Sequence, residues 1–426
     1  MKEENITYKK KKVSIYDMLQ IILYLILPFL FIINEYLFIF AIVLKSIFQI
    51  IHYKDRGSLF ILLMLDSFLY SSVTIMSLKL YDWIIVAYFI YILLKRKGKL
   101  IFNKRVFFFL MVDFLVLIFH TIGSSQLLEF IRYIISLILI LDIINSEQNF
   151  EIIDNDIARI SYANIYNAVL VYLLIRMNYF KNISDVLLST SVYIYKDEIR
   201  LNGFFTDPNK YMIFSLCLIF IAEMYVQRKN IANKIIIMAM IGAVISMSRT
   251  SLICIAVYIF MKLLVKIKQK SYVLYYVSIT VLSILLIMSV VNPDILNGII
   301  ENIFTLSAKL LGREHTLKVN ASFEDDNRMR IWMMAFNYIK QKTIIGYGWI
   351  ANEQLLPYPT HNTLISLLLD GGLIVLMSYI YTFLPLFKNK RQDIVIPYII
   401  VPLLLLDLGN YRLWYLLLGL VIKKDK

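Results

Sequence analysis

The chain has 426 residues, of which 60% are apolar and only 17% charged, and its mean hydropathy is +0.71. Soluble domains carry about 25% charged residues, so a cytosolic enzyme, a disordered protein and a disulfide scaffold are all excluded. The apolar residues form long runs that do not alternate, which argues for an all-α polytopic membrane protein over a β-barrel. The net charge of +14 sits in short clusters between those runs, as membrane topology is written, and not as a nucleic-acid surface.

Lys9 to Lys12 precede the first apolar run without a small-residue cleavage site after it, which reads as an uncleaved first span. Candidate spans follow at 18–33, 36–53, 58–78, 81–95, 105–122, 127–145, 159–178, 209–226, 231–248, 250–267, 271–291, 363–386, 393–408 and 411–422. Several fall short of the roughly 20 residues a bilayer requires, so the expected count is about 12–14, with the last two and the pair around Ser248 as candidate half-helices. Placing the Lys9–Lys12 tail in the cytoplasm puts Lys54 and Arg56, Lys95 to Lys99, Arg228 to Lys234, Lys266 to Lys270, Lys388 to Arg391 and the Lys423 to Lys426 tail on the same side. Both termini are therefore expected inside.

Five regions result: N-terminal helices over 1–178, an external loop over 179–208, helices over 209–291, a large external loop over 292–362, and C-terminal helices over 363–426. Both long loops fall outside, and long loops in compact proteins carry function.

The first loop ends in Arg200-Leu201-Asn202-Gly203-Phe204-Phe205-Thr206-Asp207-Pro208-Asn209. Asp207 suits a helix N-cap and Pro208 a first helical residue, so Arg200 lies close to where a span begins, either binding an anion or snorkelling to headgroups. Cys217 and Cys254 lie deep in apolar runs and read as core residues. Arg249, in Ser248-Arg249-Thr250, joins two apolar runs with almost no loop. Ser248 is expected to cap the next helix, and Arg249 either anchors a turn or completes an anion site at that helix end.

In the second loop, the helical spacing of apolar residues over 295–311 suits a helix on the membrane surface. Glu324-Asp325-Asp326-Asn327 then caps a helix carrying Arg328 and Trp332, with Lys340 and Lys342 at its C-terminal end. Gly346-Tyr347-Gly348 reads as a flexible approach to His361-Asn362, which opens a span. Asp66, Asp113, Asp370 and Asp407 lie in or beside spans, as a proton relay or as interhelical hydrogen-bonding groups, and Glu129 and Arg132 are spaced to pair on one helix. Of the other histidines, His52 falls inside, His120 near an outer span end, and His315 in the long loop.

Three external arginines and one external histidine point to polyanion chemistry, because a guanidinium grips phosphate through a planar fork. No external carboxylate cluster resembles a metal cradle. A lipid diphosphate, with its membrane tail and anionic head, matches arginines at an outer membrane edge.

The stretch from Arg200 to Asn209, Ser248-Arg249-Thr250, Arg328 four residues before Trp332, Gly346-Tyr347-Gly348, and His361-Asn362 with Leu364 and Asp370/Gly372 together resemble the O-antigen polymerase and O-antigen ligase superfamily. The resemblance covers about 200–375, and it departs from the family pattern at Asp370-Gly371-Gly372. It implies a metal-independent, cofactor-free glycosyltransferase of the GT-C class in the bacterial cytoplasmic membrane, using oligosaccharide on undecaprenyl diphosphate. By carry-over, Arg200 and Arg328 hold the diphosphate with Arg249 as a third cation, and His361 acts on the acceptor hydroxyl. Asn209, Gly346, Gly348, Asn362 and Asp370 support the site. Polymerase is the favoured reading, in company with a flippase and a chain-length regulator, and ligase is the alternative. A lipid-oligosaccharide flippase is the competing non-enzymatic reading, to which Asp66, Asp113 and Arg132 would belong.

Overall fold

A computed structural model describes residues 14–53, 55–75, 78–95, 104–118, 120, 127, 130–131, 133–138, 153–176, 194–195, 198–199, 202–205, 207–246, 248–278, 280, 327–349, 351–387, 391–408 and 411–424. Arg200, Glu129, Arg132, His315, Glu324 to Asp326 and the expected surface helix over 295–311 lie outside the described residues. So does much of the spans expected at 127–145 and 271–291.

Apart from two small hairpins, the regular structure described is helical. It begins with α1 (Ile15–Ile33), α2 (Glu35–His52) and α3 (Arg56–Phe68), then a hairpin of β1 (Thr74–Ile75) and β2 (Leu78–Lys79), then α4 (Leu80–Lys95), α5 (Lys104–Ile118) and α6 (Asp154–Arg176). A second hairpin, β3 (Ile194–Tyr195) and β4 (Glu198–Ile199), precedes α7 (Pro208–Met224), α8 (Lys229–Ile245) and α9 (Arg249–Lys270). After these come α10 (Asn327–Gln341), α11 (Ala351–Leu355), α12 (Thr363–Phe387), α13 (Gln392–Val395), α14 (Val401–Leu405) and α15 (Arg412–Lys424).

Side-chain caps set several of these starts. Ser14 and Asp17 form a capping box on α1, and Asn34 and Asp55 accept from the first free N–H groups of α2 and α3. Among the described residues, four helices are long and apolar enough to cross a membrane, at Glu35–His52, Asp154–Leu174, Thr250–Lys270 and Thr363–Pro385, and five shorter apolar helices accompany them. Large apolar side chains such as Phe29, Phe40, Ile237, Leu263 and Met377 are exposed on α1, α2, α8, α9 and α12, as lipid-facing surfaces require.

Three expected spans differ in detail. The one expected over 58–78 leaves the helix after Phe68, because the chain turns at Ser71-Ser72 and the Ser72 N–H donates to the Phe204 carbonyl at 2.8 Å. The one over 393–408 is composite. A π-helical turn at Ile396–Ile400 separates α13 from α14, where Pro397 and Pro402 each remove a backbone donor. Gly372, at φ 66° and ψ −163°, breaks α12.

The packing centres on α7, which is buried on nearly every side, as a helix apolar all round must be. It packs on α8, and α8 on α6, while α1 packs on α2, α3 on α4 and α5 on α12. Cys217 on α7 and Cys254 on α9 are both buried.

Several charged groups in this interior are met by partners from other helices. Asp66 of α3 receives Lys45 and Gln49 of α2 and Tyr24 of α1, which is interhelical hydrogen bonding of the kind expected for it. At the ends expected to face the cytoplasm, Arg159 pairs with Asp17 and Asp156, Arg228 with Asp154, and Lys262 with Glu223, and His52 stacks on Tyr16. These pairs pin α1 to α6, α6 to the start of α8, and α7 to α9, and leave the opposite ends to build the cavity described next.

Candidate functional site

At the opposite ends of these helices lies a cavity of about 330 Å³, lined by Tyr81, Asp207, Asn209, Lys210, Glu353, Pro359, His361, Leu406, Asp407, Leu408, Tyr411 and Arg412. Its walls come from the start of α4, the start of α7, the loop between α11 and α12, the end of α14 and the start of α15. The basic-residue pattern assigns all these ends to one side.

His361 is half-buried in this wall, and it is the one non-glycine residue with a positive φ, 50°, among the described residues. Residues other than glycine adopt this left-handed conformation uncommonly and at a cost, and the bonds on both sides of His361 explain why it persists. Asn362, the next residue, caps α12, with its Oδ1 accepting from the N–H groups of Leu364 and Ile365 at 3.0 and 3.1 Å, while its Nδ2 donates to the Leu404 carbonyl at 2.9 Å. The preceding Thr360 is buried. Its N–H donates to Asn352 Oδ1 at 3.1 Å, its hydroxyl donates to the Asn362 carbonyl at 3.1 Å, and its carbonyl accepts from Trp332 Nε1 at 2.6 Å.

Asn352 of α11 is the hub of this arrangement. Its Nδ2 donates to Asp407 Oδ2 at 2.5 Å, and its backbone N–H donates to Asp370 Oδ1 at 3.1 Å. Asp407 also accepts from the Ser366 hydroxyl at 3.0 Å, and Thr363 bridges the Leu406 carbonyl and the Leu408 N–H. Asp370 and Asp407 thus serve a bonded scaffold behind His361. This gives partners to Asp370 and Asp407, two of the four span aspartates that the sequence marked as needing them.

The Gly346-Tyr347-Gly348 segment corrects an expectation. It is not a flexible approach, because it is locked to the break in α12. The Tyr347 and Gly348 N–H groups donate to the carbonyls of Leu369 and Asp370 at 2.9 and 2.7 Å, and the Leu373 N–H returns to the Thr343 carbonyl at 2.9 Å. A Cβ at Gly346 would lie 2.6 Å from the Asp370 oxygen, and one at Gly372 would lie 2.3 Å from the Ile344 oxygen. Both glycines have positive φ, and backbone meets backbone here with no room for a side chain. His120 closes the other side: its Nε2 is 3.2 Å from the Gly346 carbonyl, and a Cβ at Gly348 would meet its ring at 3.0 Å.

Asp207 caps α7 as expected, accepting from the Asn209 N–H at 2.6 Å with Pro208 as the first helical residue. Asn209 in turn joins two of the motifs, since its Oδ1 accepts from the Ser248 hydroxyl at 2.7 Å. That contact corrects the capping role expected of Ser248, which makes no side-chain cap bond to α9. The backbone of Arg249 opens α9 beside this contact, and the backbone of Arg328 lies in α10, four residues before Trp332. The side chains of Arg249 and Arg328, like all of Arg200, lie outside the described residues.

Sequence reasoning missed four groups here. Arg412 enters the cavity with its Nε 3.5 Å from Asp82 Oδ1. Lys210 stands at the rim, one residue after Asn209, and its carbonyl accepts from the Tyr411 hydroxyl at 3.4 Å. Lys79 donates to the Ser72 carbonyl at 3.4 Å, and burial, helped by the Lys210 charge, holds its ammonium below the usual lysine range. The fourth is Asn352. Arg412 did carry a signal, as a cation at the outer end of a span, but an isolated Asn inside a long loop carries none. Among the described residues, no group of three or more His, Cys, Asp or Glu is placed to hold a metal ion.

Residues 235–380 match a family model described as O-antigen ligase (Wzy_C), which supports the resemblance of the motifs in that part of the chain to the O-antigen polymerase and ligase superfamily. The match takes in Arg249, Arg328, Gly346, Gly348, His361, Asn362 and Asp370, and it leaves Arg200, Asn209 and Arg412 outside. No curated protein matches the chain.

Proposed function

We propose that this chain is a polysaccharide polymerase of the bacterial cytoplasmic membrane, a GT-C-like protein of about 12–14 spans with both termini inside. It joins oligosaccharide repeats carried on undecaprenyl diphosphate into capsule, O-antigen or exopolysaccharide chains at the outer face. The observation that carries this reading is the placement of His361 in one cavity with Asn209, Lys210 and Arg412, at helix ends that the basic-residue pattern assigns to the outside.

In the proposed reaction, an acceptor sugar hydroxyl attacks the anomeric carbon of the donor. The bond from that carbon to the diphosphate oxygen breaks, and its electron pair leaves with the diphosphate. His361 takes the hydroxyl proton as the new glycosidic bond forms, a role suited to an imidazole near neutral pH. Arg200 and Arg328, with Arg249 as the third cation, hold the diphosphate. Fixed guanidinium groups bind the growing negative charge more tightly in the transition state than in the ground state, and so lower the barrier. Attack opposite the leaving group inverts the anomeric centre, and the role assigned to the cations asks for no metal.

The ligase alternative keeps the same chemistry and transfers finished glycan to a lipid or protein acceptor; the match to the family model fits either reading. The glycan size profile of cells lacking the gene, complemented with His361→Ala, tests both. Single repeat units accumulating on lipid are expected. Long lipid-linked chains left untransferred would mean a ligase, and normal polymer from His361→Ala would overturn the proposed chemistry. Proteoliposomes offered donor only on the outside test the flippase reading, because an enzyme elongates glycan there and a flippase does not.

A further inference from the structure

A second, larger concavity of about 820 Å³ lies between α2, α3 and α4, and its lining is almost wholly apolar, with Ile47, Leu59, Phe60, Trp83, Ala87 and Tyr88 among its residues. On α4 the lining residues run from Leu80 to Tyr91 on one face, which at about 1.5 Å per residue is ~17 Å, or about half of a ~30 Å hydrocarbon core. Ile47 and Trp83 are exposed, so the groove opens sideways from the helices. Trp83 marks its outer end, where its indole N–H donates to the Ile75 carbonyl at 3.0 Å, a placement typical of tryptophan at a membrane interface.

The groove and the His361 cavity meet across one helix turn. Leu80 and Trp83 line the groove, while Tyr81 lines the cavity and Asp82 holds Arg412 there. At the N-terminal end of α4 between them sits Lys79, whose backbone N–H donates to Asp82 Oδ2 at 3.2 Å, with Lys210 close enough for its charge to act on Lys79, so the cations Lys79, Lys210 and Arg412 outnumber the one carboxylate of Asp82. An apolar trough thus ends at a cationic rim, and the rim leads to a histidine. A molecule that fits has one long apolar chain, an anionic head and a reactive bond beyond that head.

We propose that this groove seats the isoprenoid chain of the lipid-linked glycan, with its diphosphate passing over the N-terminal end of α4 into the cavity that holds His361. The assignment rests on the glycosyl-transfer reading above. A phospholipid could fill the trough, but it carries no bond for His361 to act on.

The test uses the full chain in nanodiscs and a polyprenyl diphosphate bearing a diazirine on its isoprenoid chain. Photolabel is expected on peptides of α2 and α4, displaced by unlabelled undecaprenyl diphosphate and not by an equal amount of phosphatidylglycerol. Ala87→Trp, at an exposed position in mid-groove, should cut labelling at least tenfold and lower polymer output, whereas His361→Ala should abolish polymer and leave labelling unchanged. Label mapping elsewhere in the unsubstituted chain, equal displacement by phosphatidylglycerol, or full labelling of Ala87→Trp would each overturn the groove assignment. Polymer from His361→Ala would overturn the glycosyl-transfer reading instead, so the two failures are separable.

Discussion

The indole N–H of Trp332 donates to the Thr360 carbonyl at 2.6 Å, and Thr360 immediately precedes His361. Through this bond, α10, which bears Arg328 one helical turn before Trp332, is fastened to the loop that presents the histidine. The cation assigned to the leaving group and the base assigned to the acceptor are thereby held in one frame, and a frame of this kind is what reaction geometry requires.

Trp332→Phe keeps an aromatic ring, smaller than the indole, and removes the donor, leaving the buried Thr360 carbonyl without it. An unsatisfied buried acceptor costs about 1–3 kcal/mol. The expected outcome is glycan formation slowed about tenfold at unchanged protein level, read from ladder intensity per unit of membrane protein. Wild-type output would show that the frame does not depend on this bond.

The two contacts of the broken α12 should respond unequally to an added methyl group. At Gly372 it would press on the Ile344 carbonyl at 2.3 Å, where backbone has nowhere to go, with φ at 66°. At Gly348 the nearest atoms belong to the His120 ring at 3.0 Å, which can move. Left-handed strain alone costs about 1–3 kcal/mol, and the backbone clash adds to it only at Gly372. Gly372→Ala should therefore lower both membrane abundance and the thermal midpoint in detergent further than Gly348→Ala does. Equal losses would indicate that the methyl contacts are not what separates the two sites.

Asn352 and Asp407 share one hydrogen bond and one scaffold, so their substitutions should not add. Asn352→Ala removes the donor to Asp407 and the acceptor for the Thr360 N–H at once, and Asp407→Ala removes the acceptor for both Asn352 and Ser366. Groups in one network couple by about 0.5–3 kcal/mol. The double variant should be less destabilised than the sum of the two singles in thermal unfolding, and strict additivity would separate the pair.

Much of this arrangement was legible in the chain itself. The Asp207-Pro208 start of α7, the opening of α12 at His361-Asn362 and the end of α10 near Lys340 and Lys342 follow from local signals, which need only neighbours in sequence. The Gly346-Tyr347-Gly348 lock was not legible, because its partners at Leu369 to Leu373 come from a different element, and two glycines look alike whether they bend freely or admit another backbone. The Ser248–Asn209 bond escaped for the same reason: a serine before a helix reads locally as its cap, and only the fold brings Asn209 within reach. The break in α12 was hidden because Gly371-Gly372 interrupts an otherwise unbroken apolar run.

Arg412 allows a prediction that distinguishes anchoring from binding. Its Nε lies 3.5 Å from Asp82, so it could serve only to tie α15 to α4. In that case Arg412→Gln and Asp82→Asn break the same contact, and both should harm stability and glycan output alike. The cavity position argues for more, because Arg412 lines the same cavity as His361, where the anionic leaving group would sit. If it meets that anion, Arg412→Gln should raise the donor concentration for half-maximal rate by about tenfold or more, since hydrogen bonds to charged groups contribute about 1.5–3 kcal/mol. Asp82→Asn, which removes a competing carboxylate, should leave that concentration unchanged or lower it. Arg412→Lys should recover only part of the loss, because a point charge lacks the planar fork. Donor titrations of the three variants in the same membranes separate the cases, and parallel losses in Arg412→Gln and Asp82→Asn would reduce Arg412 to a strut.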